Sequence, residues 1–315
     1  MNRDDVDWRG YWPACPTPFT ADGAYDAGAH RALIDWYVGE GMHGLFVNGT
    51  TGEWFSQSHE ERRLVAETAA AAVAGRVTLL VGVTSYTARE AAELARHALG
   101  AGADGVGSTP PPYAKTLPDE TVRYYSDLAA AVDRPVMIYN WPHGTSVDMD
   151  ADLLVRIAEI DNIVAVKDST PSFEQFSQTA RRLVEELRVF GPFMSQQGLD
   201  LLLEVGGDGF IGGGSVWGRP DADFWEAVWR GDVESARAHA RRTDELFPKL
   251  WVPGGWAGLY GGYQSQLKAL MKMLGQPGGE VRAPRLPLTD EGSLQRLRVV
   301  LAEAGLLHDP VEVAT

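Results

Sequence analysis

Short apolar runs recur along the chain about every thirty residues, and each is followed by a stretch whose apolar positions repeat with a helical period. Runs that are apolar throughout, rather than alternating, mark strands covered on both faces. Eight such strands are expected, at residues 12–17, 44–47, 77–83, 105–107, 135–139, 163–167, 188–193 and 209–211. The intervening segments carry helix signals. After Asp26, the positions Leu33, Ile34, Trp36, Tyr37 and Val38 form an apolar face. Ser58 with Glu61, and Thr87 with Glu90, have the spacing of capping boxes. Helices are also expected over 119–132, from near Asp150, and from Ser172 and Gln175 to about Leu187. Thr109-Pro110-Pro111-Pro112-Tyr113 can be neither helix nor central strand, because proline lacks the N–H both require.

Strands alternating with helices over about 220 residues predict an α/β fold, a (β/α)8 TIM barrel spanning residues 1–220. An open doubly wound sheet is the alternative, but no G-x-G-x-x-G follows the first strand. Beyond residue 220 the pattern is helical only, at 222–229, 233–246, 259–274 and 290–304. This predicts a C-terminal α-helical appendage, residues 221–315, packed on the barrel. Trp225, Trp229, Trp251 and Trp256 are expected there as packing and interface residues, with a turn at Gly254-Gly255.

Composition narrows the functional classes. A net charge of −15 repels phosphate backbones and anionic lipid, so neither nucleic acid nor membrane is an expected partner. No apolar run reaches the roughly twenty residues a bilayer needs, and Met1 to Gly10 is acidic without the apolar core of a secretory signal. The one cysteine, Cys15, excludes an internal disulfide, fits a cytoplasmic location, and reads as a packed, inert thiol. His30, His43, His59, His97, His143, His239 and His308 show no ligand-like spacing, so no metal is expected.

In such a barrel, chemistry sits at the C-terminal strand ends. The sixth strand, Ile163-Val164-Ala165-Val166, ends in Lys167. A lysine there either reaches solvent and pairs with Asp168, or is desolvated, loses its charge and becomes a nucleophile for carbonyl carbon. The second strand leads into Asn48-Gly49-Thr50-Thr51-Gly52-Glu53, a turn whose N–H groups and hydroxyls suit a carboxylate. A plain strand-to-helix turn has similar composition, and Glu53 reads as a capping residue. The fifth strand ends in Tyr139, which neighbouring-strand spacing of about 4.8 Å sets against Lys167. A phenol between the Thr50 hydroxyl and the amine can move protons during carbinolamine formation. Trp54, Trp141, His143 and Trp217 suggest a broad aromatic second-substrate side, although Trp54 reads slightly better as a wall packed against the next helix, and Ser195-Gln196-Gln197-Gly198 suggests a polar rim. Gly212-Gly213-Gly214 is expected to give backbone clearance rather than a phosphate site.

Gly49-Thr50-Thr51-Gly52-Glu53, Tyr139-Asn140-x-Pro142 and Val166-Lys167-Asp168, in this order, resemble the dihydrodipicolinate synthase/N-acetylneuraminate lyase family, from about Trp8 to Trp217. The resemblance implies a class I aldolase or lyase that needs no cofactor, with Lys167 forming a Schiff base with pyruvate or a 2-keto-3-deoxy acid. It makes Tyr139 the proton-relay tyrosine, and Thr50 and Thr51 the holders of the keto acid carboxylate. Tyr113 matches a relay tyrosine lent across a dimer interface, and the main chain at Ile211 a wall of the pyruvate pocket. Small-molecule partners, pyruvate and an aldehyde, and a homotetramer built as a dimer of dimers are implied likewise. Members that make the lysine-pathway product carry an arginine where this chain has Gly144, so their second substrate's carboxylate lacks its grip here. His143, next to it, either hydrogen-bonds an aldehyde or sugar oxygen or simply sits on a loop. The alternatives are a 2-keto-3-deoxy sugar acid dehydratase, 4-hydroxy-tetrahydrodipicolinate synthase, or a non-catalytic keto acid-binding protein.

Overall fold

The computed structural model describes residues 1–307; His308, the last of the seven histidines, and the end of the 221–315 segment lie outside the described residues. Eight strands form one closed parallel barrel in sequence order. They are β1 (Gly10–Ala14), β2 (Gly44–Val47), β3 (Thr78–Gly82), β4 (Gly105–Ser108), β5 (Val136–Asn140), β6 (Ile163–Asp168), β7 (Arg188–Phe190) and β8 (Gly209–Gly213). The alternation of strand and helix is therefore that of a TIM barrel. An open sheet is ruled out because β8 closes on β1, from Gly10 opposite Gly209 to Ala14 opposite Gly213.

Two apolar layers follow from the strand period of two. Inside the barrel, Trp12, Phe46, Leu80, Met137, Phe190 and Ile211 pack together beneath Tyr139. The outward-facing residues, with the helices, make the larger outer core. Helix starts obey the expected chemistry. Ser58 Oγ accepts from Glu61 N at 3.2 Å while Ser58 N donates to Glu61 Oε2 at 2.9 Å. Thr87 accepts from Glu90 N at 3.3 Å, so its cap is one-sided rather than a closed box.

Several boundaries move for identifiable reasons. β1 ends at Ala14, short of the expected 17, and the prolines at 16 and 18 cannot continue a ladder. β7 stops at Phe190 because Gly191-Pro192 follows. The helix after β6 is Phe173–Leu183, shorter than expected. A four-residue helix, Pro142–Thr145, follows β5 and was not legible in the pattern. The helix Arg219–Trp229 packs on β1 and completes the outer ring, so a division at residue 220 falls within it. Val233–Leu250, Tyr263–Met273 and Glu291–Glu303 follow. None of the described helices is long and apolar enough to cross a membrane.

Candidate active site

Lys167 is the next-to-last residue of β6 and is only 7% exposed. Its strand partners are Tyr139 on β5 and Phe190 on β7. The amine lies 3.9 Å from the Tyr139 ring centroid and 5.6 Å from that of Phe46. Burial alone lowers its pKa from 10.5 to about 7. Asp168 does not neutralise it. Successive side chains alternate across a strand, and Asp168 Oδ1 instead accepts from Asn140 Nδ2 and Thr170 N, both at 3.0 Å. An amine in an aromatic cage, with no carboxylate partner among the described residues, is the arrangement that favours the neutral nucleophile.

Tyr139 is 6% exposed, stacked at 6.3 Å and 24° on Trp141. Burial raises its pKa to about 12, while the Thr50 and Ser169 hydroxyls beside it act in the opposite sense. The phenol is therefore protonated at neutral pH and has hydroxyls on both sides to exchange with.

The turn after β2 is shaped by close approach. A Cβ on Gly52 would stand 3.0 Å from Cys15 O, and Glu53 holds the left-handed conformation at φ 55°. Among the described residues, no acceptor meets the backbone N–H of Thr50 or Thr51. Two free N–H groups with two hydroxyls, opposite a buried amine, can hold one carboxylate. Glu53 takes no part in this. It is fully buried and ion-paired to Lys268 at 2.7 Å, with Arg282 N donating to its other oxygen at 3.1 Å. Ile211 closes the floor of the same interior cluster that holds Tyr139.

The structure separates other sequence candidates from this group. Tyr113 is 95% exposed on the proline loop, in the left-handed region at φ 74°, away from this chain's own pocket. His143 is exposed and lies 6.0 Å from the Trp256 ring. Gly144 has no room for a side chain, since a Cβ would fall 1.7 Å from the Trp141 indole. Trp54 packs under the Arg62 guanidinium at 5.0 Å, and Trp217 packs on the outer core. Ser195 caps the helix Gln196–Val205 by accepting from Gly198 N at 2.9 Å. Cys15 is buried, which pushes its thiol pKa up and keeps it unreactive. The three-glycine run clears side chains, as expected. A Cβ on Gly212, Gly213 or Gly214 would collide with Tyr11, Tyr263 or Leu267. A cavity of about 1030 Å³ lies elsewhere, between Tyr263–Met273 and Glu291–Glu303, and none of the residues grouped around Lys167 lines it. Among the described residues no group of three His, Cys, Asp or Glu could hold a metal ion.

Sequence reasoning missed two neighbours of Tyr139. Ser169 stood in plain view two residues after Lys167, but its direction was not readable. Tyr263 comes from the C-terminal helices, and the only hint of it was the small residue, Gly213, that makes space for its hydroxyl.

Comparisons with known proteins place the chain in one family. A model of the Dihydrodipicolinate synthetase family matches residues 7–303. A DapA-like lyase of Rhizobium meliloti, itself uncharacterized, is 36% identical over 297 residues, covering 93% of this chain and 95% of the relative. The 4-hydroxy-tetrahydrodipicolinate synthase of Nitrobacter hamburgensis is 33% identical, covering 96% and 98%. Dihydrodipicolinate synthase from Aquifex aeolicus superposes with a TM-score of 0.85 at 30% identity, over 96% of this chain and all, 100%, of that one. YagE of E. coli K12, solved in complex with pyruvate, superposes with a TM-score of 0.83 at 28% identity, over 96% of this chain and 100% of that one. The chain belongs to the dihydrodipicolinate synthetase family of pyruvate-dependent aldolases and lyases.

Proposed function

We propose that this enzyme cleaves a 2-keto-3-deoxy acid reversibly into pyruvate and an aldehyde, through a Schiff base on Lys167. The observation that carries this reading is the amine itself: 7% exposed, without a carboxylate partner, and with its pKa brought to about 7 by burial. The neutral Lys167 Nζ attacks the C2 carbonyl, and the resulting carbinolamine loses water to give an iminium. Tyr139 supplies a proton to the departing hydroxyl and recovers one through the Thr50 hydroxyl, a relay worth about 10²–10⁴ in rate. Thr50 and Thr51 hold the carboxylate, and the Ile211 main chain walls the pocket. The proton that Tyr139 recovers through Thr50 is that of the C4 hydroxyl, and as it leaves, the C3–C4 electron pair moves into the iminium. The aldehyde leaves, and the enamine is then protonated and hydrolysed to pyruvate. No other electron sink is required.

Tyr113 enters the relay only from a second copy of the chain. Its 95% exposure on a stiff loop supports a dimer in which it reaches the neighbouring mouth, and two such dimers make the tetramer. The cytoplasm, where a lone thiol stays reduced, suits this assembly. The relatives named 4-hydroxy-tetrahydrodipicolinate synthase favour that synthase activity as a second reading. Against it, the Trp141 indole fills the space in which a side chain at position 144 would stand, so the chain offers no side-chain grip for a second carboxylate there. Borohydride reduction with pyruvate, followed by peptide mass mapping, tests the proposal. A pyruvate-derived adduct on Lys167 is expected. No adduct, or one on another lysine, would refute it.

A further inference from the structure

The helix Tyr263–Met273 buries an unusual amount of polarity. Gln264, Gln266 and Lys268 are each 4% exposed or less. Buried polar groups need partners, and two of these find theirs on the turn that follows β2. Gln264 Nε2 donates to Thr50 O at 2.9 Å. Lys268 Nζ donates to Glu53 Oε1 at 2.7 Å and to Thr17 O at 2.8 Å. A helix nearly a hundred residues downstream of Lys167 thus clasps the turn from outside.

The first residue of that helix goes further in. Tyr263 stacks on Trp251 at 4.8 Å and 30°, which fixes its ring. Its hydroxyl occupies the side-chain space of Gly213, 1.5 Å from where a Cβ would stand. Gly213 lies two residues beyond Ile211 on β8, on the same inward face, so the hydroxyl stands at the barrel mouth above the interior cluster. Gln264, the next residue, donates to Thr50 O at 2.9 Å, which brings the Thr50-Thr51 turn to the same side of the mouth, and the Thr51 side chain acts on the phenol against the effect of burial. Burial keeps the phenol protonated, so it is available as a donor.

We infer that Tyr263 is a positioning residue of the active site, donating its O–H to Thr51 Oγ so that the Thr51 hydroxyl is directed at the keto acid carboxylate. The inference rests on the proposed reading of the turn as the carboxylate holder. It makes the C-terminal helices part of the site rather than a scaffold for it.

The test is Tyr263→Phe, which keeps the ring and its stack on Trp251. Borohydride trapping on Lys167 is measured against the concentration of pyruvate and, separately, of acetone, a ketone without a carboxylate. The pyruvate concentration for half-maximal trapping should rise about tenfold, the effect of one hydrogen bond that orients a donor to a charge. The acetone dependence should stay within about twofold. In a Thr51→Val background, Tyr263→Phe should add nothing further, since the two residues act in series. Gly213→Ala, which pushes the hydroxyl away, should reproduce the selective loss. An unchanged pyruvate dependence, or equal losses for pyruvate and acetone, would overturn the assignment. Wild-type protein that pyruvate fails to label at Lys167 would instead overturn the proposed function, and this inference with it.

Discussion

Replacing Lys167 with methionine should make the protein more stable at neutral pH while abolishing turnover. Methionine keeps an unbranched side chain of similar length and removes the titrating end that lies by the Tyr139 and Phe46 rings. The lysine pKa falls from 10.5 to about 7 in the folded protein. At about 1.4 kcal/mol per pH unit, holding the charged amine in that cavity costs about 5 kcal/mol. The sign follows from proton counts. Between pH 7 and 10.5 the unfolded chain carries the proton and the folded chain does not, so this lysine makes wild-type stability rise with pH across that window. Below about pH 7 both states are protonated and the full cost is present. Local relaxation and water entry reduce it, so the variant should gain about 2–4 kcal/mol at pH 7. Denaturant unfolding of both proteins at equal concentration, from pH 6 to 10, measures the difference. The gap should be widest below pH 7 and close toward pH 10. A gap that stays constant with pH, or a methionine variant less stable throughout, would refute the idea that burial alone sets this amine.

Mixing Tyr113→Phe protein with Lys167→Met protein, after dissociation and reassembly, should restore part of the lost activity if each copy lends Tyr113 to its neighbour's mouth. No recovery in verified hybrids would place the relay within one chain. Gly144→Arg should displace the Trp141 indole from Tyr139, lower the yield of folded protein and confer no turnover of aspartate semialdehyde. A gain of that activity would show that the missing arginine alone decides the second substrate. Glu53→Gln leaves Lys268 charged and buried without its carboxylate, which should cost about 3–5 kcal/mol in denaturant unfolding and weaken keto acid binding through the loosened turn. A loss below about 1 kcal/mol would mean that the pair does not hold the turn in place.

The parallel barrel was readable because its strands, covered on both faces, are near-continuous apolar runs, and because Lys167, Tyr139 and Thr50 each interrupt such a pattern at a strand end. Boundaries were less readable. Ladder hydrogen bonds, not apolar character, set where β1 and β7 stop, and Pro16 and Gly191 overrule the apolar residues around them. The side-chain directions that divide Lys167 from Asp168 followed from strand periodicity, so the choice between a caged amine and a solvent-facing pair was half visible in advance. Trp141 was legible as part of an aromatic second-substrate side but not as the occupant of the Gly144 space, which depends on the short Pro142–Thr145 helix. Tyr263 was invisible for a different reason. Its helix has an ordinary amphipathic pattern, and its place beside Thr51 is set by long-range packing that no local spacing encodes. The buried Lys268 shows the same limit, since a lysine in that pattern reads as solvent-facing.

The central claim is that an uncharged amine at the barrel mouth bonds to a ketone. The rate at which pyruvate and borohydride label Lys167, followed from pH 5 to 10 with peptide mapping at each point, tests it most directly. Labelling should be confined to Lys167 and rise with pH to a plateau with a midpoint near 7. A midpoint near the ordinary lysine value of 10.5, or label distributed over other lysines, would contradict it.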